Sequence, residues 1–133
     1  MKLVYPAIFS PCEEGGYTVE VPDLPGCITE GDTLAEAISM GEDAASGWIL
    51  QELEAGQEVP SASRISDLHP EGASFASLLS LDMDAYAEKY GAKAVRKNLT
   101  IPAWLNTFAE RQKVNFSQVL TDALTELYQK AVQ

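Results

Sequence analysis

The chain has 133 residues, 46% of them hydrophobic, and carries 20 Asp and Glu against 9 Lys and Arg, a net charge of −11. That length fits one domain, or one small domain with a smaller module attached. No apolar run approaches the ~18 residues that span a bilayer. The opening Met1-Lys2-Leu3-Val4-Tyr5-Pro6 is too short an apolar stretch for a signal peptide, so the expected location is the cytoplasm, with no membrane partner.

In chain order, Leu3 to Phe9 is rich in β-branched and aromatic residues and predicts a strand. Glu13-Glu14-Gly15-Gly16 is a turn signal, and Tyr17-Thr18-Val19-Glu20-Val21 alternates as a half-buried strand, paired with the first as a hairpin. Asp23-Leu24-Pro25-Gly26 predicts a second turn and Cys27 to Glu30 a short third strand. A helix follows. Thr33 and Glu36 have capping-box spacing, and Leu34, Ala37, Ile38, Gly41, Ala44, Ala45, Trp48 and Ile49 recur at helical period, with small members that allow close approach to a sheet. Gly56 is the expected helix stop. Residues 57–73 predict a surface loop, Phe75 to Met83 a fourth strand, Asp84 to Tyr90 a short helix and Gly91-Ala92 a hinge. Three strands, a helix and a strand make an α+β layer with the helix on one sheet face.

Few side chains suit metal or redox chemistry. The single histidine, His69, lies in a Ser/Pro-containing stretch, which excludes a multi-histidine metal site and predicts a solvated loop residue. Cys12 and Cys27 lack metal-ligand spacing and are expected to be small buried residues in or beside strands, without a disulfide. Glu20, Asp23, Glu30 and Asp32 are candidate carboxylates for a metal-dependent nuclease. Glu20 falls on the outer face of its strand, and Asp23 and Asp32 sit at turns, so ion-pair, turn and capping roles are expected. No catalytic residue, metal or cofactor is assigned.

Charge divides the chain. Residues 1–90 hold 17 Asp and Glu against 3 Lys and Arg, whereas residues 91–133 hold 3 against 6. The basic end predicts a strand, Val95 to Ile101, and two helices. Pro102 suits a first helical turn, followed by an apolar stripe of Trp104, Leu105 and Phe108. Asn115 is an N-cap with Gln118 at box spacing. Phe116, Val119, Leu120, Ala123, Leu124, Leu127, Tyr128 and Ala131 line the second helix.

About 40 residues of this kind cannot bury enough apolar surface alone. The economical solution is a homodimer through residues 93–133. Two strands pair antiparallel over a shared core of Leu99, Ile101, Leu105, Phe108, Val119, Leu120, Ala123, Leu124 and Leu127. Alternation then turns Arg96, Asn98 and Thr100 outward. A two-stranded ribbon fits the DNA major groove, where Arg pairs with guanine and Asn with adenine. Lys93 and Lys97 add positive charge. The amides at Asn115, Phe116 and Ser117, with Lys113 nearby, form an expected phosphate contact.

The segments Arg96-Lys97-Asn98-Leu99-Thr100-Ile101-Pro102 and Val114-Asn115-Phe116-Ser117 resemble a ribbon-helix-helix DNA-binding domain. Two positions differ from that pattern: Lys113 stands where Gly is common, and Phe116 where Arg is frequent. The run Val21 to Ala37, with Tyr5-Pro6-Ala7 and Gly16-Tyr17, resembles the HicB-type antitoxins. That resemblance implies an N-terminal partial RNase H-like domain over residues 1–90 and a ribbon-helix-helix module over 91–133. It further implies a HicA-type toxin partner, a small basic RNase, and repression of the chain's own operon through operator DNA. Such dimers can pair on adjacent half-sites as tetramers. The acidic domain independently suits a basic protein partner. Two alternatives are a stand-alone ribbon-helix-helix repressor whose acidic domain senses a ligand, and a degenerate nuclease.

Overall fold

The structure is a computed structural model of one chain and describes residues 1–131. It divides into two compact units, one spanning Lys2–Lys93 and the other running from Ala94 onward.

The first unit is a four-stranded antiparallel sheet in the order β3-β2-β1-β4, built from β1 (Lys2–Pro11), β2 (Tyr17–Glu20), β3 (Ile28–Gly31) and β4 (Phe75–Asp82). Helix α1 (Leu34–Glu54) covers one face and α2 (Met83–Tyr90) follows β4. The element order is the expected one, and the strand and short-helix boundaries agree to within two residues, with Tyr17, Phe75 and Tyr90 falling where expected. The loop before β4 contains a single 3-10 turn, Ile65–Asp67.

Residues directly opposed in register share a face. Tyr5 pairs with Leu79, and Phe9 with Val19 and Phe75. Tyr5, Phe9, Val19 and Leu79 are all buried, and with Leu24, Ile49, Leu81 and Met83 they supply the large side chains of the core. Helix α1 presents Ala37, Gly41, Ala45 and Ile49 at a spacing of four, all buried. Gly41 lets the helix lie close to the sheet: a Cβ on it would lie 3.1 Å from Val19 Cγ1 and 3.2 Å from Leu79 Cδ1, so those methyls would have to shift by a few tenths of an ångström.

Capping fixes both helix ends. The Thr33 hydroxyl accepts from the Glu36 N–H at 3.1 Å, as expected. The reciprocal arm differs, because the Glu36 carboxylate accepts from the Asp32 N–H at 3.3 Å, one residue before the cap. At the far end Gly56 has φ 74°, its N–H donates to Leu53 O, and the Gln57 N–H donates to Glu52 O. These two bonds form a Schellman motif, which satisfies the last carbonyls.

The Val21–Cys27 segment is a structural latch. Leu24 is fully buried, and the Asp23 carboxylate accepts from the N–H and hydroxyl of Ser63 at 2.9 and 2.6 Å. The indole N–H of Trp48 donates to Pro25 O at 3.0 Å. The Tyr5 hydroxyl donates to Pro60 O at 2.5 Å, and burial, then the Asp23 charge, raises its pKa above the usual phenol value. Cys27 is buried as expected; Cys12 is only half-buried, because it lies one residue past the end of β1; both are free thiols. His69 is an exposed loop residue.

The second unit contains α3 (Ala103–Arg111) and α4 (Phe116–Ala131). Pro102 stands at the N-cap of α3 rather than at its first helical position. Residues 91–102 form neither helix nor strand, which corrects the strand expected over Val95 to Ile101. The physical reason is direct: a strand is defined by its ladder, and this segment meets no second strand within one chain.

The tightest backbone approach yields the first prediction. A Cβ on Gly31 would fall 2.4 Å from Ala37 N and 2.6 Å from Ala37 Cα, whereas Gly15, at φ 96°, has open space around it. Gly31→Ala is expected to lower stability by about 3 kcal/mol, and Gly15→Ala by about 1 kcal/mol, measured by urea unfolding of the full chain. Equal losses would contradict the packing of β3 against the start of α1.

Candidate nucleic-acid interface and acidic partner surface

The α3–α4 connection is closed by backbone hydrogen bonds. Gln112 caps α3, the Lys113 N–H donates to Glu110 O at 3.1 Å, and the Val114 N–H donates to Ala109 O at 3.0 Å. This is a second Schellman motif, with Lys113 at φ 55° in the left-handed position usually given to Gly. The difference from the ribbon-helix-helix pattern at Lys113 thus falls on the one non-Gly residue of positive φ among the described residues. Ala109 is the one residue of this unit that is buried among those described.

Asn115 caps α4 as expected, its side-chain oxygen accepting from the Gln118 N–H at 3.0 Å. Gln118 does not complete the box. Its amide reaches forward to Asp122 Oδ1 at 2.7 Å. The connection therefore gathers Lys113, Asn115, Phe116 and Ser117 at the amino terminus of a 16-residue helix, where N–H groups and the helix dipole favour an anion.

Lys93, Arg96, Lys97, Asn98 and Thr100 are all exposed and lie in the segment without secondary structure. One chain does not organise them into a reading face. The proposed core residues Leu99, Ile101, Leu105, Phe108, Val119, Leu120, Ala123, Leu124 and Leu127 are also exposed. Trp104 is 73% exposed and Leu127 63%. Such a continuous apolar face is far beyond the scattered exposure normal for a monomer.

The acidic unit presents its carboxylates differently. Glu13, Glu14, Glu30 and Asp32 border one open depression beside the β1–β2 turn. Among the described residues, no three His, Cys, Asp or Glu side chains converge to hold a metal ion. No described helix is long and apolar enough to cross a membrane. One feature escapes the carboxylate pattern altogether: Val4, Ile28 and Leu78 stand exposed on the sheet face that α1 does not cover. Its sequence signal is the run Leu3 to Phe9, which is apolar at every position rather than at every second one.

Comparison with known proteins assigns a family to this fold. The profile of the HicB-like antitoxin of bacterial toxin-antitoxin systems matches residues 5–123, and the chain belongs to that family. It is 34% identical over 105 residues to an uncharacterised 14.9 kDa protein of Haemophilus phage HP1, covering 77% of this chain and 76% of that one. It is 52% identical over 40 residues to antitoxin HicB 1 of Photorhabdus laumondii, covering 30% of this chain and 26% of the relative. Among solved structures, a toxin–antitoxin complex from Streptococcus pneumoniae contains a chain that superposes with a TM-score of 0.62 at 28% identity, covering 95% of this chain and 99% of that one.

The cap geometry yields a second prediction. Lys113→Gly relieves a left-handed backbone and is expected to raise stability by about 1 kcal/mol. Asn115→Ala is expected to lower it by about 1 kcal/mol. Thermal unfolding of the full chain checks both, and two shifts of the same sign would contradict this account of the turn.

Proposed function

We propose that this chain is an antitoxin that neutralises a HicA-type toxin and represses its own operon in the cytoplasm. The acidic unit is read as a partial RNase H-like domain with no catalytic role, and it takes the toxin, a small basic RNase. The basic unit is read as one half of a ribbon-helix-helix dimer. The observation that carries this reading is the exposed apolar face of residues 95–128, interrupted by a single buried alanine.

Two copies related by a two-fold axis remove both defects of the single chain. Val95 to Ile101 gains an antiparallel partner for its backbone, and Leu99 and Ile101 turn inward onto the helices. Arg96, Asn98 and Thr100 then project from one side of the ribbon toward base edges. Lys93 and Lys97 flank them, and the α4 amino termini contact the phosphates on either side. Phe116 supplies only its backbone N–H there, so the clamp rests on amides, Ser117 and Lys113. Residues 132 and 133, included in the range first expected to form the dimer, lie outside the described residues. Two such dimers on adjacent half-sites would give a tetramer.

Neutralisation requires no chemistry from the antitoxin. A domain with 17 Asp and Glu against 3 Lys and Arg repels nucleic acid and attracts a cationic protein, speeding encounter and fixing orientation. Occupying the toxin's RNA-binding surface then suffices.

Arg96→Ala and Asn98→Ala are each expected to weaken operator binding about 100-fold, since each removes ~1–3 kcal/mol from both half-sites. Toxin neutralisation in a growth-rescue assay is expected to be unchanged. Wild-type operator affinity should fall linearly with salt on logarithmic axes, with a slope of about −4 or steeper. Loss of neutralisation in these variants, or a salt-independent affinity, would overturn this division of labour.

A further inference from the structure

The open face of the N-terminal sheet departs from the usual antiparallel pattern, in which one face is apolar and the solvated face polar. Register places Val4, Pro6 and Ile8 of β1, Leu78 of β4 and Ile28 of β3 on the side away from α1. Ile28 is 63% exposed, Leu78 53% and Val4 48%. Ile8 is half-buried and Pro6 buried between them. Carboxylates punctuate this patch. Glu20 stands in register between Ile8 and Ile28, Glu30 lies two residues along β3, and Asp82 closes β4 opposite Lys2.

The edge of the sheet is less open than its face. On β4, the Ser80 N–H that points away from β1 donates to the Glu42 carboxylate of α1 at 3.1 Å. Helix α1 thus blunts this edge against strand addition.

We infer that this open sheet face is the toxin-docking surface, and that its occupant is a basic protein whose apolar patch is rimmed by Lys and Arg. The inference rests on the antitoxin reading above. Charge selects this occupant over a second copy of the chain. Self-pairing would set Glu20, Glu30 and Asp82 of one copy against the same carboxylates of another, within a domain already carrying 17 acidic against 3 basic side chains. A cationic partner satisfies the same carboxylates while it covers Val4, Ile28 and Leu78. The apolar centre supplies the contact area and the carboxylates supply orientation.

The test uses the full-length protein and a purified, catalytically inactive HicA-type toxin, with affinity measured by calorimetry. Ile28→Arg and Leu78→Arg are each expected to weaken binding at least tenfold. Glu20→Arg leaves the apolar residues intact, guards against misfolding of the other two, and is expected to do the same. The charge reversal Glu54→Arg, on α1 at the opposite face of the sheet, is the control, with an expected change under threefold. All four variants should keep wild-type melting temperature and operator binding. If wild-type protein does not bind the toxin, the antitoxin reading fails and this inference falls with it. If wild-type binds and Glu20→Arg, Ile28→Arg and Leu78→Arg bind within threefold of it, the antitoxin reading stands and the docking face is wrong. If those variants instead change the mass of the free protein while toxin affinity is retained, the face belongs to a second copy and the inference is overturned.

Discussion

The constraint on which this protein's organisation depends is the apolar surface of residues 94–131. Two amphipathic helices and one extended segment present Leu99, Phe108, Leu124 and Leu127 to solvent and bury only Ala109. Apolar burial stabilises by roughly 25 cal/mol per Å², so a face of this size is a large free-energy gradient toward association. The segment 91–102 has the same requirement in hydrogen bonds, since its backbone has no ladder within one chain. In the proposed dimer, pairing meets both requirements at once, and it is also what orders Arg96, Asn98 and Thr100. DNA reading in this account is therefore a property of the pair, absent from the single chain.

The N-terminal unit has the opposite character. Its sheet, α1 and the Val21–Cys27 latch are closed by contacts within the unit. Leu24 fills the core, Asp23 holds Ser63, and Trp48 holds Pro25. The segment that carries the family likeness is thus mainly structural. What it leaves available for binding is a sheet face with apolar residues among carboxylates. In the proposed function the two units solve one physical problem in two ways: one would cover its apolar surface with its own copy, the other with a partner of opposite charge.

Much of this was legible in the residues. Alternation in Tyr17 to Val21, the helical period from Leu34 to Ile49, and the Thr33 and Asn115 caps each appear where local pattern places them, because each depends on neighbours in sequence. The strand over Val95 to Ile101 did not form, because its partner is not local. Glu36 and Gln118 bond to Asp32 and Asp122 rather than closing their boxes, a choice among nearby partners that spacing alone does not decide. Lys113 was marked by its difference from a pattern, and its φ of 55° supplies the reason. The open sheet face was hidden for another reason. A run apolar at every position predicts a strand but does not say which side a helix will cover.

The account turns on whether Val95 to Ile101 becomes a paired strand in the assembled protein. Amide hydrogen exchange on the full chain at micromolar concentration measures this directly. Pairing predicts that alternate amides of this segment exchange at least a hundredfold more slowly than those of Gly91 to Lys93, and that dilution toward the monomer abolishes the difference. Uniformly fast exchange along Val95 to Ile101, in a protein whose operator binding is intact, would contradict the account.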